Sequence, residues 1–239
     1  MNTIIKRTLI ILFTFLINAC ASYQAQYLDK SDQLNIFPDK EVDKVFYLMG
    51  DAGLSPMNGM SQGLIAFHEY ISNKDTKGDY ALFLGDNIYP AGLPQTEHKY
   101  RGSAENMLNA QVKSVKNFKG QTIFIPGNHE WYAGGVTGVR LEEKYIKETL
   151  DENSFFPENG CPLKSIDVSE TIQMVIIDTQ WYLENWDHHP TINEDCVIKT
   201  RELLLLELES EIKKAQGKTI VFAMHHPMYT NGSHGGKYA

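Results

Sequence analysis

Short apolar runs alternate with longer amphipathic stretches along most of the chain. The runs are rich in Val, Ile, Phe and Tyr, and they predict strands at 44–49, 80–84, 121–126, 171–178 and 218–224. Between them, apolar residues recur near helical spacing and predict helices at 59–73, 99–117, 139–151 and 199–215. Strands that alternate with helices in this way indicate an α/β fold.

Four of these strands are followed at once by residues whose side chains bind metal ions. The motifs are "GDAG" at 50–53, "GDNIYP" at 85–90, "GNHEWY" at 127–132 and "HHPMYTNGSHGG" at 225–236. In α/β folds the functional loops cluster beyond the carboxyl ends of the strands, so we expect these side chains to meet. Carboxylate, amide, phenol and imidazole groups together suit Fe³⁺, Mn²⁺ or Zn²⁺. Two aspartates, one of them able to bridge, suggest two ions rather than one.

The N-terminal segment has the pattern of a signal peptide. A basic pair at 6–7 precedes an apolar stretch at 8–17 that is too short for an ordinary membrane-spanning helix. The sequence "INAC", ending at Cys20, resembles the lipobox of bacterial lipoproteins, which implies cleavage before Cys20 and its lipidation; plain secretion is the alternative. We therefore predict a signal peptide at 1–19, a lipid-anchored polar linker at 20–41 and one folded domain at 42–239.

Location and charge limit the expected partners. The lipobox resemblance implies a lipoprotein of the bacterial cell envelope, held to the membrane by its N-terminal lipid. We expect it at the outer membrane, facing the periplasm or the surface. The net charge of −8, with no basic run, argues against nucleic-acid binding.

The cysteine content agrees with export. The chain has 3 cysteines, and if Cys20 carries lipid, Cys161 and Cys196 remain. An even number of cysteines in an oxidising compartment suggests a disulfide between them. Two unpaired thiols are the alternative.

The order of the four motifs resembles the calcineurin-like metallophosphoesterase superfamily, and within it the purple acid phosphatases. The family pattern contains Gly-Asp-x-Gly, Gly-Asp-Asn-x-Tyr, Gly-Asn-His followed by Asp or Glu, and a later His before x-Pro. The likeness covers roughly residues 44–239. It implies a four-layer α/β/β/α sandwich with two mixed sheets. It also implies hydrolysis of a small phosphate ester at a binuclear centre, with iron paired with iron, zinc or manganese.

The resemblance implies a metal-binding role for five residues. The implied ligands are Asp51 and Tyr89 on the first metal, Asp86 as the bridge, and Asn128 and His225 on the second metal. In the wider superfamily a histidine two residues after the first aspartate binds the first metal. Here that position is Gly53, and Tyr89 matches the tyrosine that replaces this histidine in purple acid phosphatases. The alternative for Tyr89 is a tyrosine packed on the turn with its hydroxyl hydrogen-bonded.

Other motif residues are implied to act on the substrate or to support the ligands. His129 matches a histidine that contacts the phosphate and donates a proton or stabilises charge; a histidine packed under the metal centre is the alternative. His234 matches a histidine that assists the leaving group. Glu130 is expected to orient His129 through a hydrogen bond. Asn87 is interpreted as a turn former that supports Asp86.

Several further residues are interpreted as structural. His226 is expected to line the pocket, and His68 to be buried on the apolar face of a helix. Asp178, at the end of a strand, is compatible with a role behind the ligands and equally with a cap or a turn. Aromatic residues such as Trp131 and Tyr132 are candidates for a pocket wall, yet core or rim packing explains most aromatics.

One family motif is absent. The final Gly-His-x-His, whose histidines complete both metal shells in the family, does not occur before Ala239. We therefore expect a C-terminally incomplete domain, from a truncated sequence or a fragment, with a natural pseudo-enzyme as the alternative. Because two imidazole ligands are missing, such a chain is expected to bind metal poorly and to turn over slowly.

Three functions remain open from the sequence. The first is a phosphomonoesterase of the acid-phosphatase type at the cell envelope. The second is a phosphodiesterase or pyrophosphatase of the same fold. The third is a non-catalytic envelope module that binds metal or phosphate. The set of candidate ligands favours an enzyme over a scaffold.

Overall fold

The computed structural model of the protein describes residues 42–184 and 194–228. The predicted signal peptide and linker, with Cys20, lie outside these residues, as does His234. The strands are β1 (Phe46–Met49), β2 (Tyr80–Leu84), β3 (Gln121–Ile125), β4 (Leu163–Asp167), β5 (Ile172–Ile177) and β6 (Thr219–Met224). The helices are α1 (Gln62–Ser72), α2 (Arg101–Ser114), α3 (Asn128–Trp131), α4 (Val136–Thr149), α5 (Thr179–Leu183) and α6 (Arg201–Lys214). Within the described ranges, no helix combines the length and the apolar character needed to cross a membrane.

The strands form two sheets of three. In the first sheet β2 lies between β1 and β3, and both pairings are parallel, with Leu82 aligned between Leu48 and Ile123. In the second sheet β5 lies between β4 and β6, antiparallel to β4 and parallel to β6. The predicted α/β class is therefore confirmed. The second sheet is mixed as expected, whereas the described strands of the first are all parallel.

Alternation along the strands places one apolar core between the two sheets. Leu82 of β2 and Ile123 of β3 are buried there against Met174 and Ile176 of β5. Successive side chains of a strand point to opposite faces, so the neighbouring residues face the helices instead. The packing of Leu82 and Ile123 against Met174 and Ile176 holds the two sheets face to face.

The outer face of the first sheet packs on helices. Phe83 of β2 stacks on Phe124 of β3, with ring centroids 4.2 Å apart, and Phe67 of α1 meets Phe83 edge to face. Ser61 caps α1 by accepting the backbone N–H of Leu64, so the predicted helix begins three residues later than its apolar pattern suggests.

Helix α6 covers the outer face of the second sheet. The amide nitrogen of Gln173 in β5 donates to Glu211 of α6 at 3.1 Å, whereas the next residue, Met174, packs between the sheets. Thr200 caps α6 by accepting the backbone N–H of Leu203. Helix, sheet, sheet and helix therefore follow one another, which confirms the predicted four-layer sandwich.

Candidate metal centre

Two carboxylates and an imidazole from three chain segments converge at one end of the two sheets. Asp51 comes two residues after β1, Asp86 two residues after β2, and His225 directly after β6. One ligand atom from each of these three side chains lies within 4.8 Å of the other two. The parallel arrangement of β1 and β2 explains the first pair, because their carboxyl ends lie at the same edge.

The loops that carry Asp51 and Asp86 are joined through their backbones. The N–H of Gly53 donates to the carbonyl of Asp86 at 3.0 Å, and the N–H of Tyr89 donates to the carbonyl of Gly53 at 3.0 Å. A Cβ on Gly53 would lie 2.5 Å from the backbone of Asp86 and of Ile88. Position 53 therefore has no room for a side chain unless this backbone shifts, so the histidine of the wider superfamily does not fit here.

Both aspartates adopt a left-handed backbone conformation. The φ angle is 53° at Asp51 and 53° at Asp86. Residues other than glycine rarely adopt this region, and when they do they cluster at functional sites. Hydrogen bonds hold both turns, because the backbone N–H of Asp51 donates to the carbonyl of Gly85 at 3.2 Å and that of Asp86 donates to Glu130 at 2.9 Å.

The hydroxyl of Tyr89 lies between the two carboxylates. It is 2.8 Å from Oδ1 of Asp51 and 3.0 Å from Oδ2 of Asp86. A phenol has one proton, so it can donate to only one of these oxygens. Burial and the two hydrogen-bonded carboxylates raise the pKa of Tyr89 above its ordinary value of 10.0. A cation at this point would reverse the shift, because it favours the phenolate.

His225 and Asn128 present further acceptors to the same point. Nδ1 of His225 is 2.8 Å from the carbonyl of Leu84 and donates to it, so in the neutral ring Nε2 carries a lone pair. That Nε2 is 3.1 Å from Oδ1 of Asn128 and 3.4 Å from Oδ1 of Asp86. Acceptors that face one another in this way fit a bound cation. The donor set of this structure therefore suits the metal centre that the sequence predicts.

His129 lies beside this cluster and is held at two atoms. Its backbone N–H donates to Oδ1 of Asp86 at 3.1 Å, and ring Nδ1 donates to the carbonyl of Pro90 at 2.6 Å. Ring Nε2 is 3.7 Å from Oδ2 of Asp86. The imidazole contacts the rings of Tyr89 and Tyr132, with centroids 4.4 Å and 4.9 Å away.

Glu130 does not make the contact that we expected from the sequence. Its buried carboxylate accepts backbone N–H groups instead, from Gly127 at 2.6 Å, Asp86 at 2.9 Å, Asn87 at 2.9 Å and Ile88 at 3.3 Å. Burial raises the pKa of Glu130 to about 8, although these N–H donors act in the opposite direction. The ring of His129 is held by Pro90, so Glu130 joins two ligand loops and does not orient the histidine.

Asn87 is a buried junction as well as a turn residue. Its amide nitrogen donates to the carbonyl of Ile125 and to Oε1 of Glu142, both at 3.0 Å. The backbone carbonyl of Asn87 accepts the side-chain amide N–H of Gln111 at 2.7 Å. Burial, and then the nearby Glu130, raise the pKa of Glu142 well above its ordinary value. Sequence reasoning missed Gln111 and Glu142, whose only signal was a polar residue within an amphipathic helix.

Residues at the end of β5 also support the site. Asp178 is buried, caps α5 through the backbone N–H of Trp181, and accepts Nε1 of Trp131 at 3.0 Å. The hydroxyl of Thr179 is 2.8 Å from Nδ1 of His226 and accepts the backbone N–H of the same residue at 3.2 Å. The second sheet thus contacts the loops of two candidate ligands, Asn128 and His225.

Two further sequence predictions concern residues away from the centre. A disulfide joins Cys161 to Cys196, with the Cα atoms 5.6 Å apart, and it connects the end of the 3₁₀ helix Glu158–Gly160 to the segment before α6. Nδ1 of His68 donates to the carbonyl of Ser114 at 2.8 Å, which links α1 to the end of α2. His68 therefore has a structural contact, but it is half-buried and not buried as we expected from the sequence.

Comparison with known proteins agrees with the geometry. The sequence profile of the calcineurin-like phosphoesterases matches residues 44–239. The chain is also similar to purple acid phosphatase 7 of Arabidopsis thaliana, with 24% identity over 202 residues that make up 80% of this chain. The match spans about half the relative, 55% of its length. The family predicted from the four motifs is confirmed: the chain belongs to the calcineurin-like phosphoesterase family.

Proposed function

We propose that the full-length protein hydrolyses small phosphate monoesters at a binuclear metal centre to which these residues contribute ligands. The observation that carries the proposal is the convergence of five metal-binding side chains: Asp51, Asp86, Tyr89, Asn128 and His225. Family membership supports phosphoester hydrolysis. The printed name of the Arabidopsis relative supports a phosphatase among the phosphoesterases.

The geometry suggests how the ligands divide between two ions. Tyr89 contacts Asp51 and Asp86, whereas His225 contacts Asn128 and Asp86, so Asp86 belongs to both groups. When bound, the two ions supply positive charge for the phosphate oxygens and lower the pKa of the water that attacks phosphorus. We propose iron paired with iron, zinc or manganese, because phenol, carboxylate and imidazole donors suit these ions.

His129 is placed to transfer a proton at the edge of the metal centre. The Pro90 carbonyl holds Nδ1–H, which leaves Nε2 as the ring atom that takes or delivers a proton. Charge develops on the leaving oxygen as the ester bond breaks, and a positioned acid there contributes roughly 10²–10⁴-fold. The backbone N–H of His129 also donates to Asp86, so this residue orients the bridging carboxylate.

The proposal is tested by separating metal binding from turnover. Asp86→Ala should abolish both, because it removes a ligand from each group. His129→Ala should retain bound metal while the rate falls by roughly 10²–10⁴-fold. His68→Gln is the matched control, because His68 contacts Ser114, outside the cluster, and it should keep both.

The substrate class is tested with p-nitrophenyl phosphate and its bis-ester. A monoesterase should favour the first by at least tenfold in kcat/KM. Preference for the bis-ester would replace the monoesterase by a phosphodiesterase. Metal-independent hydrolysis, or an active Asp86→Ala variant, would refute the proposed function.

We propose in addition that the protein works at the bacterial cell envelope, attached to a membrane through lipid on Cys20. The support is the basic pair, the apolar stretch and the "INAC" sequence of the N-terminal segment. Wild-type protein should fractionate with membranes and incorporate labelled fatty acid. Cys20→Ser should lose the label and the membrane association. Unchanged cleavage and fractionation of Cys20→Ser would contradict lipidation.

A further inference from the structure

Tyr132 lies one helical turn after the candidate ligand Asn128. The short helix α3 begins at Asn128, and residues four apart on a helix lie on the same side. The amide nitrogen of Asn128 donates to the hydroxyl of Tyr132 at 2.8 Å. The structure thus pairs a predicted metal ligand with a tyrosine that the sequence suggested only for a pocket wall or for packing.

The contact matters because an amide has two different ends. Only the oxygen binds a cation, so the NH₂ group must point away from the centre and needs an acceptor there. In the structure Oδ1 of Asn128 faces Nε2 of His225 at 3.1 Å, and the NH₂ group faces Tyr132. If the amide turned by half a rotation, the NH₂ group would instead face the lone pair of His225, and Asn128 would be lost as a ligand.

The surroundings make Tyr132 a residue of the site and not of the core. Its side chain is 55% exposed, so the protein interior does not depend on its hydroxyl. Its ring also contacts the imidazole of His129, with centroids 4.9 Å apart. Tyr132 therefore touches a candidate ligand through its hydroxyl and the candidate acid through its ring.

We propose that Tyr132 is a positioning residue for the metal centre: its hydroxyl accepts the amide N–H of Asn128 and keeps the amide oxygen directed at the second ion. The inference rests on the proposed two-metal function and adds a residue to it. Hydrogen-bond partners behind a metal ligand change metal affinity by about 10–100-fold when they are removed. Because Tyr132 is half exposed and water can replace part of the bond, we expect the low end of that range, about tenfold.

The test removes only the hydroxyl. Tyr132→Phe and wild type, both as full-length protein, are titrated with Mn²⁺ in a calorimeter, and thermal melting is recorded in parallel. Tyr132→Phe should weaken one of the two Mn²⁺ sites by about tenfold, leave the other within twofold, and keep the Tm within about 2 °C. Tyr70→Phe is the control, because Tyr70 is 60% exposed and contacts the ring of Tyr47 and the amine of Lys74.

The outcomes separate this inference from the function on which it rests. Selective weakening of one site in Tyr132→Phe, absent from Tyr70→Phe, supports the positioning role. Equal Mn²⁺ affinities in Tyr132→Phe and wild type overturn it while the proposed function stands. A fall in Tm that accounts for the whole loss of affinity also overturns it, because the role is then structural. Absence of Mn²⁺ binding by the wild type refutes the two-metal function itself.

Discussion

Asp178→Asn tests whether a buried carboxyl beside the metal centre keeps its proton in the folded protein. The carboxyl accepts Nε1 of Trp131 at 3.0 Å and the backbone N–H of Trp181 at 3.1 Å. Burial raises the pKa of Asp178 from 3.8 to about 7, against the opposite effect of these N–H donors. The side chain has no exposed surface, so solvent does not screen the effect.

The direction of the pH effect follows from the raised pKa of Asp178. Between pH 3.8 and about 7 the folded protein keeps a proton that the unfolded chain releases. The contribution of this group to the free energy of unfolding is therefore fully present below pH 3.8 and falls as the pH rises to about 7. The difference between the two pKa values of Asp178 corresponds to about 4 kcal/mol of unfolding free energy, since each tenfold change in proton affinity is worth about 1.4 kcal/mol.

Asparagine cannot titrate and offers one acceptor oxygen instead of two. At pH 4, Asp178→Asn should lower the unfolding free energy by about 1–3 kcal/mol. The NH₂ group of the asparagine faces an N–H donor, which then loses its acceptor. As the pH rises to 7, the wild type loses stability at this site and the variant does not. The difference in unfolding free energy between the two proteins should therefore shrink. It should reverse if the wild type loses the whole contribution of Asp178, about 4 kcal/mol.

The assay is urea unfolding followed by tryptophan fluorescence, for both proteins, at intervals of half a pH unit from 4 to 8. The free-energy difference between wild type and Asp178→Asn is plotted against pH. A difference that is constant with pH would show that folding does not change the pKa of Asp178. A difference that grows with pH would show that the N–H donors outweigh burial and that the carboxyl is ionised.

Three further substitutions test the loops of the site. Glu130→Gln should lower the unfolding free energy in urea by at least about 2 kcal/mol, because two backbone N–H groups lose an acceptor, whereas exposed Glu148→Gln should change it little. An unaffected Glu130→Gln would contradict the contact between the two loops. Gly53→Ala should weaken Mn²⁺ binding because its Cβ would lie only 2.5 Å from the backbone of Asp86, while Gly63→Ala, with open space around it, should not; equal behaviour of the two would refute the steric argument. Tyr89→Phe should remove any visible absorption of iron-loaded protein and weaken one site, and an unchanged spectrum would remove Tyr89 from the candidate ligands.

Local pattern predicted most of the fold because strands and helices in this chain carry distinct apolar spacing. The predicted strand at 80–84 matches β2, and the predicted helix at 199–215 contains α6 with its Thr200 cap. Strand β4 was missed. Its sequence "LKSID" has no continuous apolar run, and it becomes a strand by pairing with β5. Tertiary pairing, which a local pattern does not contain, decides such a segment.

The candidate ligands were also predictable from the sequence, because each lies in the segment that follows a predicted strand. The residues behind them were not. Glu142 and Gln111 stand in amphipathic helices, where a polar residue normally marks the exposed face, yet both are buried against Asn87. The partner of Glu130 was also misjudged, because the sequence does not show that its carboxylate reaches back to backbone N–H groups 42 to 44 residues earlier. The roles of the individual ligands stay predictions until metal binding is measured.

The candidate ligands come from both sheets, so the spacing of the sheets is also a dimension of the metal centre. Asp86 follows β2 of the first sheet and His225 follows β6 of the second, and their side chains approach to 3.4 Å. The side chains of Leu82, Met174 and Ile176 fill the space between the sheets, and none of them is a candidate ligand. We expect a change of one methylene group there to shift the two sheets relative to each other, because protein interiors are close-packed. Metal affinity in this fold is therefore open to adjustment from the apolar interior, with every coordinating residue left in place.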